Sequence, residues 1–178
     1  TPSLPADTRF VGGNYDKDLP YIERGEDVFI LDLSYPADVL QEVVSRSARL
    51  VLLDHHQSAL DRLGQGQVKL RPQDVIQLDM RRSGAMMAWD YFNPGTPAPM
   101  FLRRIQARDL YTWDAPHAEE YLEWLNTQPL DRALWAQLFH ESEESQQPKI
   151  RDGAMMLAPV RALAQNLAAR AVPVEVLG

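Results

Sequence analysis

Two short apolar runs, Asp27-Val-Phe-Ile-Leu-Asp-Leu33 and Arg49-Leu-Val-Leu-Leu53, constrain this chain more than any other feature. Each is continuous rather than alternating and rich in residues that favour extended backbone, the pattern of a strand covered on both faces. Between them, Val39, Leu40, Val43 and Val44 fall at helical spacing and predict a helix ending near Ser47. Ser34-Tyr35-Pro36 supplies a capping hydroxyl and a proline suited to that helix's first turn. Strand, helix and strand at this length make a βαβ unit with parallel strands and a right-handed crossover.

The remaining pattern extends that unit. Thr8–Val11 reads as a short strand before a Gly12-Gly13-Asn14 turn, and Val75–Leu78 as a further strand. Ser83-Gly84 opens a helix over Ala85–Phe92, which the Asn93-Pro94-Gly95 turn closes. From Pro99 onward the spacing is helical: Met100–Leu110, Ala118–Asn126, Asp131–Phe139 and Ile150–Ala171, with Pro159 expected to kink or divide the last. Polar Glu141–Pro148 reads as an exposed connection. The expected fold class is α/β, a Rossmann-like parallel sheet followed by a helical C-terminal half. The α/β body is expected over residues 1–140, and the connection with its C-terminal helix over 141–178.

Composition removes several function classes. With 178 residues, 45% hydrophobic and 24% charged, the chain buries a core large enough to fold without disulfides or a structural metal. A net charge of −7 argues against broad binding to nucleic-acid backbones, though a local basic patch remains compatible. The absence of Cys excludes thiol catalysis, zinc-thiolate fingers and disulfide scaffolds, and it fits a reducing cytoplasm, the expected compartment. No apolar run approaches the roughly 18 to 20 residues of a membrane span. TPSLPADTRF at the N-terminus lacks a basic-then-apolar signal pattern and an initiator Met, which fits a trimmed or processed chain.

Open parallel sheets bind ligands beyond the carboxyl ends of their strands. Asp32 lies at the end of the first run and Asp54-His55-His56 just past the second. Adjacent parallel strands sit about 4.8 Å apart, so these groups converge on one rim. A carboxylate with neutral imidazoles suits Mn²⁺, Fe²⁺, Co²⁺ or Zn²⁺, and suits Mg²⁺ less well. Taken singly, Asp32 reads as a helix cap, Asp54 as a turn former, and the histidines as loop residues. Taken together in this topology, they read as a metal site.

Val28-Phe-Ile-Leu-Asp-Leu-Ser34, Leu50-Val-Leu-Leu-Asp-His-His56, Arg82-Ser-Gly-Ala-Met-Met-Ala-Trp89 and Arg108-Asp-Leu-Tyr111 resemble segments of the DHH phosphoesterase superfamily, named for its Asp-His-His motif. The resemblance runs from about Phe10 to Asn126. It implies a two-metal phosphoester hydrolase, usually manganese-dependent, with Mg²⁺ or Co²⁺ as other cations. Asp32 matches the carboxylate that bridges both metals, His55 a metal ligand, and His56 a contact to substrate phosphate. Asp54 would orient the imidazole next to it. Asp109 is the candidate ligand for the second metal, with Asp114 a nearby rival. Two such cations, about 3.5–4 Å apart, hold the attacking hydroxide and stabilise the leaving oxygen. Arg81, Arg82, Ser83 and Gly84 form a phosphate-binding helix start, although a solvated arginine pair is an equal reading. Trp113 either stacks a base or packs the domain edge.

Two parts of the family pattern are missing. Nothing before Asp32 matches the first motif, since the carboxylates of Asp16 and Asp18 follow no strand of the required kind. The Gly-rich, His-containing accessory domain is absent before Val176-Leu177-Gly178. For a polypeptide that begins at Thr1, the expectation is at most one well-held metal and weak or no hydrolysis. The leading functional reading is exonuclease-like hydrolysis of phosphodiesters in small nucleotides, short oligonucleotides or single-stranded nucleic acid. Phosphomonoester or pyrophosphate cleavage, or a non-catalytic role in binding or assembly, stand as alternatives, and a homodimer is compatible with each.

Overall fold

The computed structural model describes residues 5, 7–14, 19–64 and 68–172. Its backbone divides into two compact units, Thr1–Ala98 and Pro99–Gly178. The boundary expected at residue 140 therefore falls inside the second unit. Asp16, Asp18 and Val176–Gly178 lie outside the described residues.

The first unit is built on a parallel sheet of three strands in the order β1-β2-β3. β1 spans Asp27–Leu31, β2 Arg49–Asp54 and β3 Val75–Leu78, with Leu31 paired to Leu53 and Asp54 to Leu78 at the carboxyl ends. Alternate residues of β2 serve opposite faces, which is why the strand is apolar throughout. Leu50 and Leu52 join Ile30 and, from helix α1 (Ala37–Arg46), Leu40, Val43 and Val44. Val51 and Leu53 instead pack with Phe29 of β1 and Met87 of α3 (Gly84–Phe92). Helix α2 (Gln57–Gly64) directly follows the two histidines. No helix was expected there from residue spacing.

Two expectations for this unit are corrected. Residues 8–14 form no strand; there Arg9 pairs with Glu26 at 2.8 Å and bonds the Tyr21 carbonyl, contacts that hold an irregular segment without a ladder. Ser34 does not cap α1, whose N-cap is Pro36 with no side-chain cap bond.

Buried Asp74 ties the strand starts together. Its Oδ1 accepts from the Leu50 N–H at 2.8 Å, and both oxygens accept from the Arg71 guanidinium, whose Nη1 also bonds the Ser47 carbonyl. Those Arg71 bonds outweigh burial and hold the Asp74 carboxyl down at about 2. The folded value lies below the unfolded one, so the stabilisation is complete above about pH 4 and is lost as pH falls through the folded value. The difference corresponds to about 2 kcal/mol. Urea midpoints measured against pH should show this acid limb, and Asp74→Asn should flatten it.

The second unit is helical: α4 (Met100–Asp109), α5 (Ala118–Asn126), α6 (Arg132–Leu138) and α7 (Glu143–Ala168). Phe101 of α4 lies at the centre of an aromatic cluster with Tyr121, Trp135 and Phe139, rings 5.1–6.3 Å apart and nearly perpendicular. Buried Arg104 donates to the Pro116 carbonyl and to Gln146 Oε1, and its guanidinium lies 4.6 Å over the Tyr121 ring. The polar 141–148 segment, expected as an exposed connection, is largely exposed, but from Glu143 onward it is helical, and its Gln146 is drawn into that bond. Ser142 caps α7 through the Ser145 N–H, and Gln146 is buried against Arg104. The helix also runs through Pro159 undivided.

Gly153 sets how closely α7 approaches α5. A Cβ there would stand 1.7 Å from the Glu120 carbonyl oxygen, an overlap with backbone that no rotamer change relieves. Alanine is ordinarily the better helix residue by about 1 kcal/mol. Here overpacking reverses the sign, and Gly153→Ala should lose roughly 2 kcal/mol or more in urea unfolding. Among the described residues, no helix is long and apolar enough to cross a membrane.

Candidate metal centre

β1 ends at Leu31, and the next residue turns sharply. Asp32 has φ 61°, the left-handed region that Asp tolerates better than most residues, while its N–H still donates to the Leu53 carbonyl at 2.8 Å. Such backbone costs on the order of 1 kcal/mol and recurs at functional sites. The Asp32 Oδ1 lies 3.2 Å from His55 Nε2. Two donors about 2.1 Å from one cation, at angles of about 90–110°, lie about 3.0–3.4 Å apart, so this separation fits a shared ion.

β2 ends at Asp54, which is completely buried. Its Oδ1 accepts from the backbone N–H groups of His55 (2.8 Å) and His56 (3.3 Å) and faces His56 Nδ1 at 2.7 Å. This Asx-type turn folds the motif back on its own carboxylate. Asp54 thus holds the ring of His56, whereas the expectation gave it the adjacent imidazole; to His55 it is bonded through the backbone N–H. With Nδ1 committed to Asp54, any ligand His56 takes is taken by Nε2. The two imidazole centroids lie 4.4 Å apart. One ligand atom each from Asp32, His55 and His56 lies within 4.8 Å of the others. His55 is nearly buried, His56 half-exposed and Asp32 open to solvent, so the cluster is both anchored and accessible.

The segment read as phosphate-binding divides into different tasks. Arg82 donates to Asp79 at 2.9 Å and to Asp90 at 3.0 Å, so two carboxylates hold its guanidinium. Arg81 is almost fully exposed, with its Nε 3.5 Å from Asp79. The Arg81 N–H and the Arg82 guanidinium together hold the Asp79 carboxyl below the usual carboxylate range. Ser83 caps α3 by accepting from the Met86 N–H at 3.2 Å. Gly84 does what sequence reasoning missed. A Cβ there would meet Asp32 Oδ1 at 2.3 Å and Asp32 Cβ at 2.5 Å, so the start of α3 rests directly against the candidate ligand. The available signal was a glycine at a helix start where alanine is the better helix former.

Asp109 is the last residue of α4 and lies exposed in the second unit, where Asp114 accepts from Thr112 Oγ1 at 2.8 Å. Trp113 is partly exposed and meets Tyr111 edge to face, with ring centroids 6.3 Å apart. A groove of about 950 Å³ runs along edge strand β1, lined by Phe29, Leu31 and Tyr91 among others, and does not include the three donors.

No protein-family model matches this chain, and no solved structure matches it. Over 118 residues it is 32% identical to the uncharacterized protein R106 of Acanthamoeba polyphaga mimivirus, a match covering 66% of this chain. The chain spans about 27% of that relative's length, so the similarity relates it to one portion of a longer viral protein.

Proposed function

We propose that this chain carries the metal site of a DHH-type phosphoesterase that hydrolyses phosphodiester bonds in small nucleotides, short oligonucleotides or single-stranded nucleic acid. The observation that carries the reading is the convergence of Asp32, His55 and His56 donor atoms at the carboxyl rim of β1 and β2. Carboxylate with imidazole suits Mn²⁺, the expected cation, which when bound polarises a phosphoryl oxygen and lowers the pKa of water. The chain's own residues hold and orient. Asp32 and His55 bring one oxygen and one nitrogen to a common point. Asp54 holds the His56 ring through Nδ1, so that Nε2 would ligate the cation as a neutral imidazole or donate to a phosphoryl oxygen as an imidazolium. A reducing cytoplasm, consistent with the lack of Cys, is the proposed compartment.

The test is Mn²⁺-dependent release of para-nitrophenol from bis-para-nitrophenyl phosphate. Turnover should require the cation and fall to background in Asp32→Asn. Turnover indifferent to chelator, or unchanged in the variant, would overturn the reading. Faster release from the monoester, or from pyrophosphate, would move the assignment to those substrates. A second reading, a binding protein that holds one cation without turnover, is favoured by the three donors found together. Calorimetric titration distinguishes the two by stoichiometry: a two-metal hydrolase takes up a second ion.

A further inference from the structure

The geometry points to a nucleobase-stacking platform in the second unit, formed by Tyr111 and Trp113 on the turn that follows α4. It rests on the phosphoester reading for the class of its ligand and deepens that reading by naming the group recognised, a purine or pyrimidine ring.

Three observations support it. Tyr111 is 82% exposed and Trp113 43%, so two large rings of one short turn face solvent. They stand nearly perpendicular, at 88°, which lets a flat ring lie on one face and meet the other ring's edge. Both residues have left-handed backbone, with φ 55° and 51°. Bulky aromatic residues are outliers there, whereas glycine or asparagine adopts that conformation without strain. A turn serving only to end a helix gains nothing from aromatic rings at those positions.

The turn's backbone is also tied by hydrogen bonds. The Tyr111 N–H donates to the Arg108 carbonyl, and the N–H groups of Thr112 and Trp113 both donate to the Ala107 carbonyl, at 3.0 and 3.1 Å. Thr112 Oγ1 closes on Asp114. The backbone that carries the rings is thus set before any ligand arrives, which lowers the ordering cost of binding. Charge narrows the ligand class. Asp109 and Asp114 flank the rings, and Arg108 donates to Asn126 Oδ1 at 2.9 Å. That setting disfavours a phosphate at the turn and favours a neutral base, whose stacking is sequence-tolerant.

The experiment uses the full chain without metal, observing the Trp113 indole N–H by nitrogen–proton correlation spectra during titration with adenosine, cytidine and ribose 5-phosphate. Both nucleosides should shift the Trp113 signal in a saturable way, in the millimolar range, and ribose 5-phosphate should not. Tyr111→Gly should weaken adenosine binding by roughly fivefold or more while its thermal midpoint stays level or rises, because glycine relieves the backbone. No shift with either nucleoside, an equal shift with ribose 5-phosphate, or unchanged adenosine affinity in Tyr111→Gly would overturn the platform. A lowered midpoint in that variant would assign the ring to packing and also overturn it. The nucleosides contain no phosphoester, so this outcome is independent of whether the reporter diester is hydrolysed.

Discussion

Replacing His55 with alanine is expected to abolish Mn²⁺ binding, with affinity falling roughly 100-fold or more and diester turnover lost with it. Of the two histidines, His55 is the one whose Nε2 faces the Asp32 carboxylate at ligand-to-ligand distance, and it is held in a nearly buried position. The neighbouring substitution should behave differently. His56 has its Nδ1 tied to Asp54 and its ring half-exposed, the posture of a group that meets substrate. His56→Ala should therefore keep Mn²⁺ affinity within about tenfold while turnover drops by about two orders of magnitude, the usual effect of removing a positioned hydrogen-bond donor. Calorimetric titration of both variants with Mn²⁺, alongside reporter kinetics, separates the roles. Equal loss of metal in both would make His56 a ligand.

The second large effect is expected from a residue that binds nothing itself. In Gly84→Ala the new methyl would overlap Asp32 Oδ1, Cγ and Cβ at 2.3–2.5 Å. Rotating the carboxylate away removes the contacts with Oδ1 and Cγ but not the one with Cβ, whose place is set by the backbone. Either the end of β1 or the start of α3 must shift, and Asp32 moves away from His55. Mn²⁺ affinity should fall by more than about tenfold, because metal ligands tolerate only small displacements. From helix propensity alone the substitution should stabilise by about 1 kcal/mol, so the two accounts differ in sign as well as in readout. A folded Gly84→Ala protein with unchanged Mn²⁺ affinity would show that Asp32 does not need this contact.

Much of the first unit was legible in the order of residues. The run at Arg49 is apolar without alternation because β2 is covered on both faces, by α1 and by α3. The run at Asp27 forms the strand expected but not a fully covered one: β1 lies at the sheet edge, where only Ile30 is buried and Leu31 is exposed. Asp32 and Asp54-His55-His56 could be assigned to one rim because parallel strands in register bring their carboxyl ends together, as the Leu31–Leu53 pairing does. The helices at Gly84, Met100 and Ala118 followed from periodicity, and the first also from the Ser83 that opens it. Arg81 and Arg82 were less readable: whether a guanidinium reaches a phosphate or a neighbouring carboxylate depends on where Asp79 and Asp90 lie.

What the sequence determined by itself was the kind of sheet and the residues brought to its rim, because burial on two faces and parallel pairing both leave a local mark in residue order. What only the tertiary structure decided were contacts between segments distant in sequence. Gly84 rests on Asp32, Gly153 on the Glu120 carbonyl, and Gln146, in the first turn of α7, is buried against Arg104. Which imidazole Asp54 holds was decided by a turn of three residues, through bond angles rather than residue type. A glycine, a glutamine and a choice of tautomer carry no pattern of their own. Their meaning comes from the atom that folding places a few ångströms away.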